Sequence, residues 1–120
     1  MKKQSWKKGC LILYSSEGKI CVAKKDILYV KASSGYVLIY ITGLEKAILI
    51  TGSLLWLEEE INSDNFFRTD KSWLVNLARV TLCMPEGKGQ VAIMDNLVHI
   101  PVSRRKEVPF LDQLTRYKDK

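Results

Sequence analysis

Residues 66–80, Phe-Phe-Arg-Thr-Asp-Lys-Ser-Trp-Leu-Val-Asn-Leu-Ala-Arg-Val, place aromatic and aliphatic side chains on both sides of a short charged segment. That segment, 68–71 (Arg-Thr-Asp-Lys), is incompatible with a buried strand because unpaired charges are costly to remove from water. It must therefore face solvent. Cations on a rigid turn between two apolar flanks are suited to bind an anion. We interpret the segment as a functional loop, with Trp73, Leu74 and Val75 behind it in the core.

On the C-terminal side, short apolar segments separated by turn residues predict a meander of strands over 81–84, 90–94 and 97–100. Pro101 is expected to end the strand pairing because it lacks an N–H donor. Residues 103–106 (Ser-Arg-Arg-Lys) then place three cations directly after the last strand. A short tail over 108–117 follows, and a helix is one interpretation of it.

On the N-terminal side, the sequence predicts one helix, because Ser53 is a good N-cap and Leu54, Leu57 and Ile61 recur at helical spacing. The acidic run 58–60 then forms a solvated face of that helix.

Before the helix, apolar runs separated by turn residues predict two hairpins and a further strand. The runs are 10–14 with 19–23, 27–30 with 36–41, and 46–51. Several of these strands are apolar on both faces, which is typical of strands inside a stack of sheets. Residues 1–9 are predicted to be a basic arm, and residues 10–120 a single domain, because no linker or repeat interrupts them.

Composition limits the class of protein. A chain of 120 residues with 47% hydrophobic and 27% charged residues can fold as one domain without a disulfide or a metal. It has neither a signal peptide nor an apolar run long enough to span a membrane, so we expect a cytoplasmic protein with no membrane association. Cys10, Cys21 and Cys83 are odd in number and widely spaced, which predicts small buried hydrophobic residues in a reducing compartment.

The net charge of +6 favours a polyanionic partner such as nucleic acid, with solubility alone as the alternative. An RNA partner is less well supported because most aromatic residues fall in apolar runs and leave no exposed stacking platform.

The sequence does not predict an enzyme. The one histidine, His99, lies in an apolar strand, where a packed or edge-exposed side chain is the simpler interpretation. No glycine-rich phosphate loop precedes a helix, and no cysteine and histidine spacing suits a metal. We therefore predict no catalytic residues, no metal and no cofactor.

Five segments, in order, resemble the LytTR family of bacterial DNA-binding domains, and together they extend from about Cys10 to Arg105. They are 26–30 (Asp-Ile-Leu-Tyr-Val), 35–37 (Gly-Tyr-Val), 53–57 (Ser-Leu-Leu-Trp-Leu), 67–76 (Phe-Arg-Thr-Asp-Lys-Ser-Trp-Leu-Val-Asn) and 100–104 (Ile-Pro-Val-Ser-Arg). The resemblance implies a mainly β fold, an elongated stack of small antiparallel sheets with one short helix. It also implies a transcription regulator that binds repeated promoter elements through loops and bends the duplex.

Carried over position by position, the resemblance implies three DNA-facing loops. Their candidate DNA-binding residues are Ser34 and Tyr36, Arg68 and Lys71, and Arg104 and Arg105. An arginine fork can bind guanine bidentately, so either of the last two suits base reading, whereas the hydroxyls suit sugar and phosphate. Structural alternatives remain open. Tyr36 is equally well explained as a strand residue that packs, Arg68 as the ion-pair partner of an acid, and the arginine pair as a solubilising cluster.

Two residues depart from the family pattern. Asp70 stands where many members carry histidine, and its carboxylate would repel a phosphate; Lys31 stands where an acidic residue often occurs, and adds positive charge. The alternative function is therefore a protein-interaction or antagonist module that keeps the fold without DNA binding.

The expected partner is promoter DNA with direct repeats, together with a homodimer on DNA or a separate sensor protein. The basic start at Met1 favours a stand-alone regulator over a fragment.

Overall fold

The computed structural model describes residues 9–119, so the predicted arm over residues 1–9 lies, apart from Gly9, outside the described part of the chain. The described chain forms two compact units, divided between Asn62 and Ser63. Both are built mainly from antiparallel strands, and the mainly β fold class is confirmed. The single domain over 10–120 stays a prediction.

The first unit contains the two predicted hairpins and their added strand. Its strands are β1 (Cys10–Ser15), β2 (Gly18–Ala23), β3 (Ile27–Ser33), β4 (Tyr36–Ile41) and β5 (Ile48–Thr51). Strand β1 pairs with β2, and β4 pairs with both β3 and β5. Alternation along β4 turns Val37 and Ile39 inward, where both are fully buried with Ile50 of β5.

The helix α1 (Leu54–Ile61) has the predicted bounds and the predicted cap. The Ser53 hydroxyl accepts a hydrogen bond from the Trp56 N–H at 3.0 Å, which satisfies one of the unpaired donors of the first turn. At the other end, the Lys24 ammonium donates to the Ile61 carbonyl at 2.7 Å. Both ends of α1 are therefore held by side chains.

The second unit contains β6 (Phe66–Asp70), β7 (Trp73–Asn76), β8 (Val80–Glu86), β9 (Gly89–Met94), β10 (His99–Val102) and α2 (Glu107–Lys118). Strands β6 and β7 form a hairpin, and β8, β9 and β10 form a sheet in the order β10-β9-β8. The Asn76 side chain accepts from the Ala78 N–H at 3.0 Å and so caps the turn after β7. The predicted C-terminal tail forms the second helix, α2, which is twelve residues long.

Of the three residues predicted to lie in the core behind the β6–β7 turn, two are fully buried and one is not. Leu74 and Val75 are fully buried, whereas Trp73 beside the turn is only partly buried. Phe110 of α2 is the largest fully buried side chain among the described residues, and no local pattern in the tail had indicated it.

The prediction that Pro101 ends the strand pairing is wrong. Pro101 pairs with Val91 inside β10, which is an edge strand of the three-stranded sheet. An edge strand accepts proline where the missing N–H points away from its neighbour.

The prediction of buried cysteines is also wrong. Cys21 is exposed, while Cys10 and Cys83 are partly buried, and none of the three forms a disulfide. The hairpin β1–β2 explains the error, because alternation turns Val22 inward and its neighbour Cys21 outward. Within residues 9–119 no helix is long and apolar enough to cross a membrane.

We predict that replacing Gly52 with alanine destabilises the protein. Gly52 has φ +146°, and an added Cβ would lie 2.7 Å from Cε3 of the Trp56 ring. The expected loss is about 1–3 kcal/mol in the free energy of unfolding, measured by urea denaturation. Gly89→Ala is the matched control, because a Cβ there has no atom within 4 Å and φ is ordinary. Equal stability of the two variants would contradict the packing argument.

We further predict that alkylating reagents modify Cys21 before Cys83. Burial, and next the negative charge of Glu107, raise the pKa of the Cys83 thiol above its ordinary value. Because the thiolate is the reactive form, Cys83 reacts more slowly at pH 8 and speeds up only as the pH rises further. Peptide mass spectrometry after timed iodoacetamide treatment measures both rates. Glu107→Gln should accelerate Cys83 alone, and equal rates for both thiols in the unaltered protein would refute the prediction.

Candidate nucleic-acid interface

The turn between β6 and β7 presents Lys71 to solvent on a fixed backbone. The turn residues are Lys71 and Ser72, and Oδ1 of Asp70 accepts a hydrogen bond from the Ser72 N–H at 3.2 Å. Nη2 of Arg68 donates to the Lys71 carbonyl at 2.9 Å. An aspartate acceptor two residues before its donor is a typical turn-forming contact. Two charged side chains therefore hold the turn in shape.

The prediction that the whole segment 68–71 faces solvent is wrong, because residues 68–70 belong to β6 and Thr69 is fully buried. Arg68 is partly buried and braces the turn through a backbone carbonyl, whereas its pairing with an acid stays a prediction. Lys71 is exposed, and its ammonium makes no ion pair within residues 9–119. Lys71 is therefore the more accessible of these two cations for binding an anion.

A second basic turn follows β10. Residues Arg104–Lys106 form a single 3-10 turn, closed by a hydrogen bond from the Lys106 N–H to the Ser103 carbonyl at 2.9 Å. Arg104 and Arg105 are exposed, and neither makes an ion pair in the described part of the chain. The chain enters α2 at once, so the turn is held at both ends by regular structure.

The two basic turns are brought together within the second unit. The Ser103 N–H donates to the Thr69 carbonyl at 2.8 Å, which ties the residue after β10 to β6. The ring of Phe67 packs against Phe110 of α2, with centroids 5.3 Å apart. The structure therefore places Arg68 and Lys71 beside the turn that carries Arg104 and Arg105, although the two segments are far apart in sequence.

The remaining candidates, Ser34 and Tyr36, belong to the first unit. Ser34 and Gly35 form the tight turn of the β3–β4 hairpin, where Gly35 adopts φ +79°. Ser34 is exposed. Tyr36 is partly buried at the start of β4, opposite Thr51, so it serves as a strand residue that also borders the loop.

Lys106 was not selected as a site residue from the sequence. Its ammonium lies 5.7 Å from the centroid of the Phe67 ring. The run Arg104–Lys106 was visible as a signal, but the aromatic partner could not be found from sequence because it lies on a distant strand.

The second unit also contains a histidine beside an acid. Nδ1 of His99 lies 2.7 Å from a carboxylate oxygen of Glu86, and both side chains are exposed. Within residues 9–119, no three histidine, cysteine or acidic side chains come together as a group able to hold a metal. The arrangement is therefore one of cations on braced turns, which can bind a phosphate or a base edge.

Comparisons with known proteins show the family and the fold of the chain. The family model of the LytTr DNA-binding domain matches residues 17–115. A similar solved structure is the LytTr DNA-binding domain of a putative methyl-accepting/DNA response regulator from Bacillus cereus. It has a TM-score of 0.72 and 23% sequence identity, and the match covers 88% of this chain and 96% of that one. No curated protein matches. Because the family model spans most of the sequence, the chain belongs to the LytTr DNA-binding domain family.

Proposed function

We propose that this chain is a sequence-specific transcription regulator that contacts promoter repeats through the loops between its strands. Membership of a DNA-binding family supports DNA as the partner. The observation that carries the proposal is the hydrogen bond from the Ser103 N–H to the Thr69 carbonyl, because it sets two basic turns side by side. Adjacent cations on rigid turns can bind neighbouring groups of one duplex.

Within this proposal the residues take different roles. Arg104 or Arg105 reads a base edge, since both guanidinium groups are exposed and a guanidinium can bind guanine bidentately. Lys71 binds a phosphate. Arg68 holds the Lys71 turn, and the hydroxyls of Ser34 and Tyr36 contact the sugar–phosphate backbone.

The proposed setting is cytoplasmic, with direct-repeat promoter DNA as the ligand and a homodimer on that DNA. A separate sensor or regulator protein supplies the signal.

The competing function is an antagonist module that has lost DNA binding because of Asp70. The hydrogen bond from the Ser72 N–H to Oδ1 gives this carboxylate a local role as a turn former. Asp70 is therefore explained without a loss of function. The negative charge of Asp70 nevertheless lies next to Lys71, where it would repel a phosphate. This is the observation that favours the antagonist function.

We predict that Arg104→Ala and Lys71→Ala weaken DNA binding in different ways. Loss of a base-reading arginine should cost about 1–3 kcal/mol and relax the preference at one base pair. Loss of a phosphate-binding lysine should weaken all sequences alike and reduce the slope of log K against log salt by about 1. Fluorescence anisotropy on direct-repeat and scrambled duplexes at several salt concentrations measures both effects.

Lys46→Ala is the matched control for these variants. Lys46 is an exposed lysine in the connection between β4 and β5, outside the proposed loops. It should change the affinity little. A regulator shows steep salt dependence, whereas an antagonist shows no binding even at low salt. Normal affinity of both loop variants would reject the assigned surface.

We predict that Asp70→Asn tightens DNA binding while leaving stability nearly unchanged. Asparagine keeps an oxygen that can accept from the Ser72 N–H, but it removes the negative charge beside Lys71. One like-charge repulsion near 4 Å in water amounts to about 1 kcal/mol, or roughly fivefold in affinity. Asp70→Ala, which removes both the charge and the acceptor, should instead lower the thermal midpoint. Weaker DNA binding by the asparagine variant would indicate that the carboxylate itself aids recognition.

A further inference from the structure

Lys106 is held by contacts that the neighbouring arginines lack. Its backbone N–H closes the turn on the Ser103 carbonyl at 2.9 Å, and its ammonium lies 5.7 Å from the centroid of the Phe67 ring. That distance is near the outer limit for attraction between a cation and a ring face. The contact therefore orients the lysine side chain while leaving ammonium N–H groups able to bind another acceptor.

The ring that receives Lys106 is itself fixed. Phe67 packs against the fully buried Phe110, with ring centroids 5.3 Å apart and planes at 58°. Phe67 also directly precedes Arg68 on β6, two residues before Thr69, whose carbonyl is bonded to Ser103. The ammonium therefore lies beside β6, the strand that leads into the Lys71 turn. A lysine whose side chain already favours one orientation loses less conformational freedom when it binds.

The charge of Lys106 is not neutralised locally. It makes no ion pair within the described residues. Lys71, Arg104, Arg105 and Lys106 are therefore four cations without an ion pair among residues 9–119, and the two turns that carry them are joined by a hydrogen bond.

We propose that Lys106 is a further phosphate-binding residue of this interface and that Phe67 is its positioning residue. The inference rests on the proposed function and deepens it, because it assigns a third cationic position after β10 to the sugar–phosphate backbone rather than to a base. The ligand is one phosphodiester of the bound duplex. Phe67 acts only through Lys106 and touches no DNA.

The test is the salt dependence of DNA binding by the full-length chain carrying Lys106→Met. Removal of one phosphate contact should make the slope of log K against log salt less negative by about 0.9. The ratio of the affinity at 50 mM salt to the affinity at 200 mM salt should then be about 3.5-fold smaller for the variant than for the unaltered chain. The loss should be equal on direct-repeat and scrambled duplexes, because a phosphate carries no base identity.

Lys19→Met is the matched control. The Lys19 ammonium lies 5.9 Å from the centroid of the Tyr14 ring, so the substitution removes the same charge from the same kind of contact on the β1–β2 hairpin. Its slope should equal that of the unaltered chain. The same slope change in both variants would mean that net charge alone is measured, and would overturn the inference.

The role of Phe67 is tested by a double-mutant cycle with Phe67→Leu, which removes the ring, and by Phe67→Tyr, which retains it. Phe67→Leu should cause no further loss of DNA affinity in a chain that already carries Lys106→Met. Phe67→Tyr alone should bind DNA with the affinity of the unaltered chain. In thermal unfolding, Phe67→Leu should lower the midpoint whether or not Lys106 is present, because the packing on Phe110 is lost in both backgrounds. Additive losses in DNA binding would overturn the positioning role.

The outcomes also separate this inference from the proposed function. If Lys106→Met leaves the slope unchanged while Arg104→Ala still weakens binding, the inference fails and the regulator stands. If the unaltered chain binds no duplex at any salt concentration, the proposed function itself fails.

Discussion

The hydrogen bond from the Ser103 N–H to the Thr69 carbonyl is the constraint on which the candidate interface depends. It is a backbone contact, so it fixes where the two turns lie without using any of their cationic side chains. Beside the same junction, the ring of Phe67 packs on Phe110 of α2. Side chains that carry charge are therefore left to project from a junction that the main chain and the core have already positioned.

Charged residues in this unit divide between holding the turns and presenting charge. The side chains of Asp70 and Arg68 form hydrogen bonds with the backbone of the β6–β7 turn, which makes that turn rigid. Lys71, Arg104 and Arg105 remain exposed. Two side chains of α2 also bind backbone carbonyls. Gln113 donates to the Asp64 carbonyl and Lys118 donates to the Val80 carbonyl, each at 2.9 Å. A polar side chain in a basic loop can thus be structural even when its charge suggests ligand binding.

Several features were predictable from sequence because their causes are local. Apolar runs separated by turn residues predicted the hairpins β1–β2 and β3–β4, and the Ser53 cap followed by apolar residues at helical spacing predicted α1. The ordered motifs identified the family. Other features depended on non-local pairing. Pro101 is tolerated because β10 is an edge strand, and Cys21 is exposed because of its place in the hairpin, neither of which a short window of sequence reveals.

The sequence by itself determined the class of fold and the family, since capping, turn chemistry and short ordered motifs are each encoded within a few residues. Only the tertiary structure decided that the segment around Lys71 meets the turn Arg104–Lys106, that Asp70 serves its own backbone, and that Lys106 lies over Phe67. These contacts join strands and a helix distant in the chain. Their partners are selected by packing and register, which no local pattern specifies.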